Sequence, residues 1–242
     1  SYSSLNYKDA LSASGNKGVT KSYPHTPGID AVGIVKNSET DKFKIGDKVI
    51  VSGFDLGMNT PGGFGQYIRV PTGWACHLPN GLDAIESMAI GTAGLTAGLC
   101  VYELEKLNGI KGKKAVITGA TGGVGTFATK ILSRLGAEIT AITSKKDAES
   151  FLKSLGAESI ILKDDFLKST LKPMNKGKWD IAIDVAGGDI LAGLIPSMKY
   201  GGAIICCGNV AGPYFEASVF PNILRANRLI GIDSAECHID KK

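Results

Sequence analysis

From Ile117 to Ala128 the chain reads ITGATGGVGTFA, an apolar run that meets four glycines and then continues at helical spacing. Gly119, Gly122 and Gly125 remove Cβ atoms where a backbone must turn tightly, approach a pyrophosphate and pack a helix on a strand. Free amides at the start of such a helix attract anions, and the helix dipole adds to the attraction. Against the pattern G-x-G-x-x-G the first position holds Ala120, which is small enough for the turn. The plainer alternative is a glycine turn that serves only helix–strand packing. A strand before, a helix after and a βαβ rhythm beyond are the context a dinucleotide site requires.

The choice of dinucleotide is read at the end of the next strand, where an acidic residue would hold the ribose hydroxyls of NAD. This chain has Thr143-Ser144-Lys145-Lys146 there. Hydroxyls and two cations can hold a 2′-phosphate, and no carboxylate repels it, so NADPH is expected over NADH. Lys163, just past the third strand, could add a cation on the adenine side. The competing reading is a solvated lysine pair at a helix start.

Other chemistries lack their residues. The histidines are His25, His77 and His238, and the five cysteines, at 76, 100, 206, 207 and 237, show no C-x-x-C spacing. Neither a three-ligand catalytic zinc set nor a four-thiolate structural site can be assembled from them, so no metal is expected. Cys76 beside His77 falls in Trp74 to Leu78, which reads as a strand edge, and Cys206-Cys207 read as strand residues. No G-x-S-x-G elbow supports nucleophilic hydrolysis.

These residues must be positioned by elements of two textures. Up to about Pro79 the chain is dense in Gly and Pro, with short β-branched runs at 31–35, 48–52 and 65–70 that read as strands of a β-rich module. From Asp83 onward strands alternate with helices, which means a parallel sheet. Strands are expected at 114–118, 138–142, 159–162, 180–184, 203–207 and 229–233, and helices at 124–135, 148–155 and 190–198, besides helical spacing over 84–107. The expected division is 1–82 for a partial catalytic domain and 83–242 for the nucleotide-binding domain.

Length and composition agree with a globular chain. It has 242 residues, 43% hydrophobic and 21% charged, and 27 basic against 23 acidic side chains leave a scattered net charge of +4. Nothing resembles a nucleic-acid stripe or a polybasic membrane anchor. No continuous apolar run nears the ~20 residues of a membrane span, and Ser1 to Ser12 lack the parts of a signal peptide. An odd, unpatterned cysteine set fits a reducing cytoplasm. Ser1-Tyr2-Ser3-Ser4-Leu5 opens without an initiator methionine, as if at the end of a strand.

SSLNYKDAL at 3–11, PGIDAVGIV at 27–35, GTAGLTAGLCV at 91–101 and FPNILRANRLIGIDS at 220–234 join the glycine turn in a collinear pattern. Together they resemble the zinc-free quinone oxidoreductase branch of the medium-chain dehydrogenase/reductase superfamily, and within it the bacterial acrylyl-CoA reductase group. The resemblance implies a Rossmann domain with a doubly wound, six-stranded parallel sheet, plus a partial GroES-like β-rich catalytic domain. It implies that the zinc ligands of alcohol dehydrogenases are replaced near Asn6-Tyr7 and Ile29. It places Tyr7 beside the nicotinamide, Thr121, Gly122, Gly123 and Val124 on the pyrophosphate, and Thr143, Ser144, Lys145 and Lys163 around the adenosine phosphate, with further contacts from Asn209, Ile223 and Ser234. Lys145 and Lys163 stand where relatives carry arginine, which keeps charge but loses bidentate geometry. The family's first strands and closing helix and strands are missing from the sequence, so a chain truncated at both ends is expected.

The implied reaction is hydride transfer from NADPH to an activated C=C bond, such as that of a 2-enoyl-CoA like acryloyl-CoA. Tyr7 either supplies a hydroxyl to the reacting centre or only packs on the nicotinamide. Asp9 and Lys8 read as a solvated or helix-capping pair. Reduction of quinones is a second enzymatic reading, and a nucleotide-binding sensor or structural subunit without turnover is a third. The expected partners are a small-molecule substrate and a second copy of the chain, paired through the last strand, whose apolar edge would otherwise be bare.

Overall fold

The computed structural model describes residues 1–170 and 174–242, with residue 108 described by its backbone alone. Two compact units are present, Ser1–Leu95 with Asp233–Lys242, and Thr96–Ile232. The texture change at 82/83 thus precedes the border between the units, and the last ten residues return to the first of them.

In the first unit Tyr2 bridges Val32, after which the chain turns at once into helix α1 (Tyr7–Ala13). Strands β1 (Asp30–Ile34), β2 (Lys48–Ser52) and β3 (Ala75–His77) form an antiparallel sheet in that order. Ala31, Phe43, Val51, Leu56 and Ala75 make its core. The expected strand at 65–70 is not formed: Ile68 and Val70 pack on this core, but the segment joins no ladder. Alternating apolar residues there record a half-buried extended chain, which looks like a strand in sequence but lacks a partner.

Helix α2 (Ala84–Asn108) leaves helical geometry at Gly91, where φ is 48°. Its stretch Ala84–Leu107 is long and apolar enough, by length and composition, to cross a membrane, which corrects the expectation drawn from continuous apolar runs. In the structure its second half is core, with Ala97, Cys100 and Leu104 fully buried.

The second unit is built on strands β4 (Lys114–Ile117), β5 (Glu138–Thr143), β6 (Ala157–Leu162), β7 (Trp179–Asp184), β8 (Met198–Cys206) and β9 (Arg228–Gly231). All pair in parallel in the order β6-β5-β4-β7-β8-β9. Helices α3 (Gly123–Arg134), α4 (Glu149–Leu155), α5 (Lys163–Ser169), α6 (Gly188–Leu194) and α7 (Phe220–Arg225) complete it. The central strands β5, β4, β7 and β8 carry buried apolar residues on both faces, as a sheet covered on both sides requires. Ala115, Ile117, Ile181, Ile183, Ala203 and Ile205 pack with α2 and α3, while the intervening Val116, Ala182 and Ile204 pack with Phe166 of α5 and Leu191 and Leu194 of α6. This is the doubly wound, six-stranded Rossmann order.

The expected strands and helices lie within a few residues of the observed ones, apart from the amino-terminal half of β8 and the last strand, which stops at Gly231. Cys207 lies just past β8 and Asp233 falls in the other unit. The helix expected at 190–198 runs from Gly188 to Leu194 and tightens into a 3₁₀ turn at Ile195–Ser197. Helices α1, α5 and α7 are not among the expected helices.

Candidate functional site

In a parallel sheet the loops that leave the carboxyl ends of the strands share one edge, and the crevice opens where the order reverses. Here that switch lies between β4, which continues to β5 on one side, and β7, which pairs with it on the other.

The turn after β4 begins with Gly119 at φ +58°. Ala120 N donates to Ile142 O at 3.2 Å, so the turn leans on β5, and Gly122 N closes it onto Gly119 O at 2.9 Å. A Cβ on Gly125 would meet Gly119 O at 2.4 Å, which makes this glycine the close contact between helix and strand. Gly122 caps α3 without a side-chain bond. Thr126 N is the first amide in this region to find an acceptor in the preceding turn, at Gly122 O. Among the described residues the amides of Thr121, Gly123, Val124 and Gly125 have no acceptor. Four free N–H groups at a helix start suit a diphosphate, whose oxygens would take their place as acceptors.

After β5, Thr143 is buried, and its hydroxyl takes the amide of Lys145 at 3.1 Å and meets Thr121 Oγ1 at 3.3 Å. It ties the glycine turn to the segment that exposes Ser144, Lys145 and Lys146. The register sets Leu162 of β6 against Thr143, so Lys163 at the start of α5 leaves its strand at the level of Ser144. Three cations at two adjacent strand ends fit a phosphorylated ribose, and residues 143–146 offer no carboxylate to an unphosphorylated one.

Asn209 is exposed in the loop after β8, which is joined to the loop after β7 by Ala211 N to Ala186 O at 2.7 Å. Ile223 is exposed on α7, whose Arg225 donates to Pro196 O and Met198 O at 2.9 and 2.8 Å and to Asn175 O. Those acceptors flank the amino ends of β7 and β8, and no hydrogen bond among the described residues brings Ile223 to the glycine turn. The structure therefore assembles Thr121–Val124, Thr143–Lys145, Lys163 and Asn209 along one edge of the second unit. Tyr7 and Ser234 belong to the first unit.

Two groups in the second unit escaped the sequence reading. Thr118 and Asp184, both fully buried, meet at 2.6 Å where β4 and β7 end. Burial raises the Asp184 carboxyl above its ordinary value, against the hydrogen bonds of Thr118 and Gly187 that favour its charge. Burial and the Asp184 charge push the Cys206 thiol up to about 11, and a hydrogen bond with Cys100, then burial, raise Cys207. These thiols stay protonated and offer no nucleophile.

Tyr7 opens α1 and is 61% exposed. Two buried carboxylates hold the residue before it. Asp9 accepts Asn6 N at 2.8 Å, Ile29 N at 2.9 Å and Gly28 N at 3.1 Å, while burial, against these bonds, raises its pKa. Asp9 is thus a cap, as expected, but a buried one rather than a solvated one. Asp30 accepts Asn6 Nδ2 at 2.8 Å, Thr92 N at 2.9 Å, Thr92 Oγ1 at 2.7 Å and the Ser4 hydroxyl. An acidic residue entering the apolar run IDAVGIV was the available sign that this carboxylate has partners.

No group of three or more His, Cys, Asp or Glu that could hold a metal is found among the described residues. Residues 1–80 match the alcohol dehydrogenase GroES-like domain, and residues 123–238 match the domain described as zinc-binding dehydrogenase. The chain is 41% identical over 241 residues to "Putative quinone oxidoreductase YhfP" of Bacillus subtilis, covering 99% of this chain and 73% of the relative. The crystal structure of that Bacillus subtilis protein with NAD bound superposes with a TM-score of 0.92, at 40% identity, over 98% of this chain and 73% of the other. Acrylyl-CoA reductase AcuI of Ruegeria pomeroyi is 41% identical over 234 residues, 96% of this chain and 71% of the relative. Escherichia coli YhdH with bound NADPH has a TM-score of 0.94 at 40% identity, over 99% of this chain and 74% of the other. With the sheet order, the glycine turn and these likenesses in agreement, the chain belongs to the medium-chain dehydrogenase/reductase superfamily, in the branch that holds the quinone oxidoreductases and acrylyl-CoA reductases.

Proposed function

We propose that the protein is an NADPH-dependent oxidoreductase that reduces an activated carbon–carbon double bond, with a 2-enoyl-CoA such as acryloyl-CoA as substrate. The observation that carries the reading is the row of free amides at the start of α3 beside Lys145, Lys146 and Lys163 at the ends of β5 and β6. The bound nicotinamide supplies the hydride; the chain's own residues bind, orient and handle the proton.

The amides of Thr121, Gly123, Val124 and Gly125 take the diphosphate, and the lysines take the 2′-phosphate. The family resemblance assigns further contacts to Asn209, Ile223 and Ser234. Residues 1–82 form the substrate-side module, and the family resemblance assigns Tyr7 to the nicotinamide. When hydride reaches the β-carbon of an enoyl thioester, charge develops on the carbonyl oxygen and the α-carbon needs a proton. In this reading the Tyr7 hydroxyl donates that proton, and the Asp9 and Asp30 bonds to Asn6 hold the start of its helix.

The likeness to the Bacillus subtilis protein favours a second reading, two-electron reduction of a quinone by the same donor. Turnover separates the two. NADPH oxidation in the full-length protein is expected to be at least tenfold faster, as kcat/KM, with acryloyl-CoA than with 1,4-benzoquinone. The reverse order would establish the quinone reading, and NADPH binding without oxidation of either would reduce the protein to a nucleotide sensor.

A further inference from the structure

We propose that Thr118 and Asp184 are positioning residues for the nucleotide, which set the pyrophosphate turn against the loop that carries Asn209. The inference rests on the nucleotide reading above and extends it to two buried side chains that need touch no ligand.

Thr118 lies between the last residue of β4 and the first glycine of the turn. Its amide continues the ladder to Ile183 O at 3.1 Å. Its hydroxyl donates to Asp184 Oδ1 at 2.6 Å and accepts from the amides of Val185 at 3.0 Å and Ala186 at 3.3 Å. A hydroxyl has one proton and two lone pairs, so this one is fully committed. Asp184 Oδ2 in turn accepts Gly187 N at 2.9 Å and faces the Cys206 thiol at 3.7 Å, while Asp184 O accepts Cys207 N at 2.9 Å.

Three loops therefore converge on one pair of side chains. The glycine turn follows Thr118, the loop 185–188 is folded back on the pair, and the loop 207–212 is fastened to the second by Ala211 N to Ala186 O and by the bridge between Gly187 and Gly212. Neither fastening leaves slack. A Cβ on Gly208 would lie 2.3 Å from Val185 O, and one on Gly187 would lie 2.7 Å from Gly212 O. With such contacts a shift of the loop after β7 is passed to the loop bearing Asn209. Two of the three loops bear candidate nucleotide contacts, and the pair sits at the strand switch where a dinucleotide crosses the sheet.

Removing the hydroxyl takes a partner from the Val185 and Ala186 amides and from Asp184 Oδ1, so the loops must move to re-satisfy them. A purely architectural role would lower melting temperature and leave nucleotide affinity unchanged in molecules that remain folded. The positioning role predicts a loss of affinity that follows the hydroxyl.

The test is NADPH titration of the full-length protein by nicotinamide fluorescence, with melting temperature measured alongside, for the wild type, Thr118→Val and Thr118→Ser. Thr118→Val is expected to raise the NADPH dissociation constant at least tenfold, and Thr118→Ser, which keeps the hydroxyl, to stay within about threefold of wild type. Equal affinity of the valine variant and wild type overturns the inference, and so does an equal loss in both variants, which would trace the effect to the methyl group. If Thr118→Val does not fold, Asp184→Asn takes its place, with at least a threefold rise expected and an unchanged constant decisive against the proposal. A wild type that binds no nicotinamide nucleotide overturns the functional reading and this inference together, whereas normal binding by the variants overturns the inference alone.

Discussion

In the proposed reading Lys145 and Lys163 carry the preference for the phosphorylated nucleotide, and single substitutions can measure it. A charge-assisted contact to phosphate contributes about 1.5–3 kcal/mol when well formed, and less at an exposed site. Lys145→Ala is expected to raise KM for NADPH about tenfold and to leave that for NADH within about twofold. Equal losses for both nucleotides would mean that the lysine serves the fold and not the ribose phosphate. Tyr7 separates two roles in a similar way. Tyr7→Phe keeps the ring and removes the proton, so a fall in kcat of about 10²-fold at unchanged KM for NADPH is expected from donation. An unchanged kcat would leave Tyr7 as packing for the nicotinamide. At this scale the sequence was informative where a residue type is tied to a backbone task, as with Gly119 and Gly125. It was silent on the pairing of Thr118 with Asp184 and of Asp30 with Thr92, because a buried polar side chain is recognised by its partners, and these pairs are 66 and 62 residues apart in the chain.

At the scale of elements, the parallel strands were readable because burial on both faces demands unbroken apolar runs, such as Ala115-Val116-Ile117 and Ile181-Ala182-Ile183. Helices α1, α5 and α7 were not, whereas α4 and α6, equally short, follow strands in the βα rhythm, and 65–70 misled because alternation marks exposure rather than pairing. Strand β7 also carries a charge with a visible task. Asp180 accepts Lys114 N of β4 at 2.9 Å and Lys199 Nζ of β8 at 2.8 Å. Burial alone would raise its pKa, but these hydrogen bonds outweigh it and hold the carboxyl below its ordinary 3.8. A depressed folded value means that the stabilisation is present above the unfolded value and is lost as pH falls through the folded one. Asp180→Asn is therefore expected to cost up to about 1 kcal/mol in urea unfolding at pH 6–7, with the gap closing below about pH 4. A gap that stays constant down to pH 3 would assign the cost to the lost acceptor geometry and not to the charge. Asp9 and Asp184 act in the opposite sense. Their raised folded values make their contribution full below the ordinary carboxylate pKa and smaller as pH rises through the folded one.

For the whole molecule, β9 ends the order β6-β5-β4-β7-β8-β9, and its Leu229 is 40% exposed. Pairing of this edge with its counterpart in a second copy would give the homodimer proposed from sequence. Sedimentation of the full-length protein should show a dimer that Leu229→Lys shifts toward monomer by at least tenfold in dissociation constant. A wild-type monomer at micromolar concentration would end that proposal without touching the nucleotide site. The site itself depends on one claim, that the edge formed by the α3 amides and the lysines beyond β5 and β6 binds a nicotinamide dinucleotide and prefers its phosphorylated form. Calorimetric titration of folded, full-length protein with NADPH and with NADH tests it most directly. The account predicts saturable binding of NADPH at one site per chain, at least tenfold tighter than NADH; binding of neither nucleotide, or tighter binding of NADH, would contradict it.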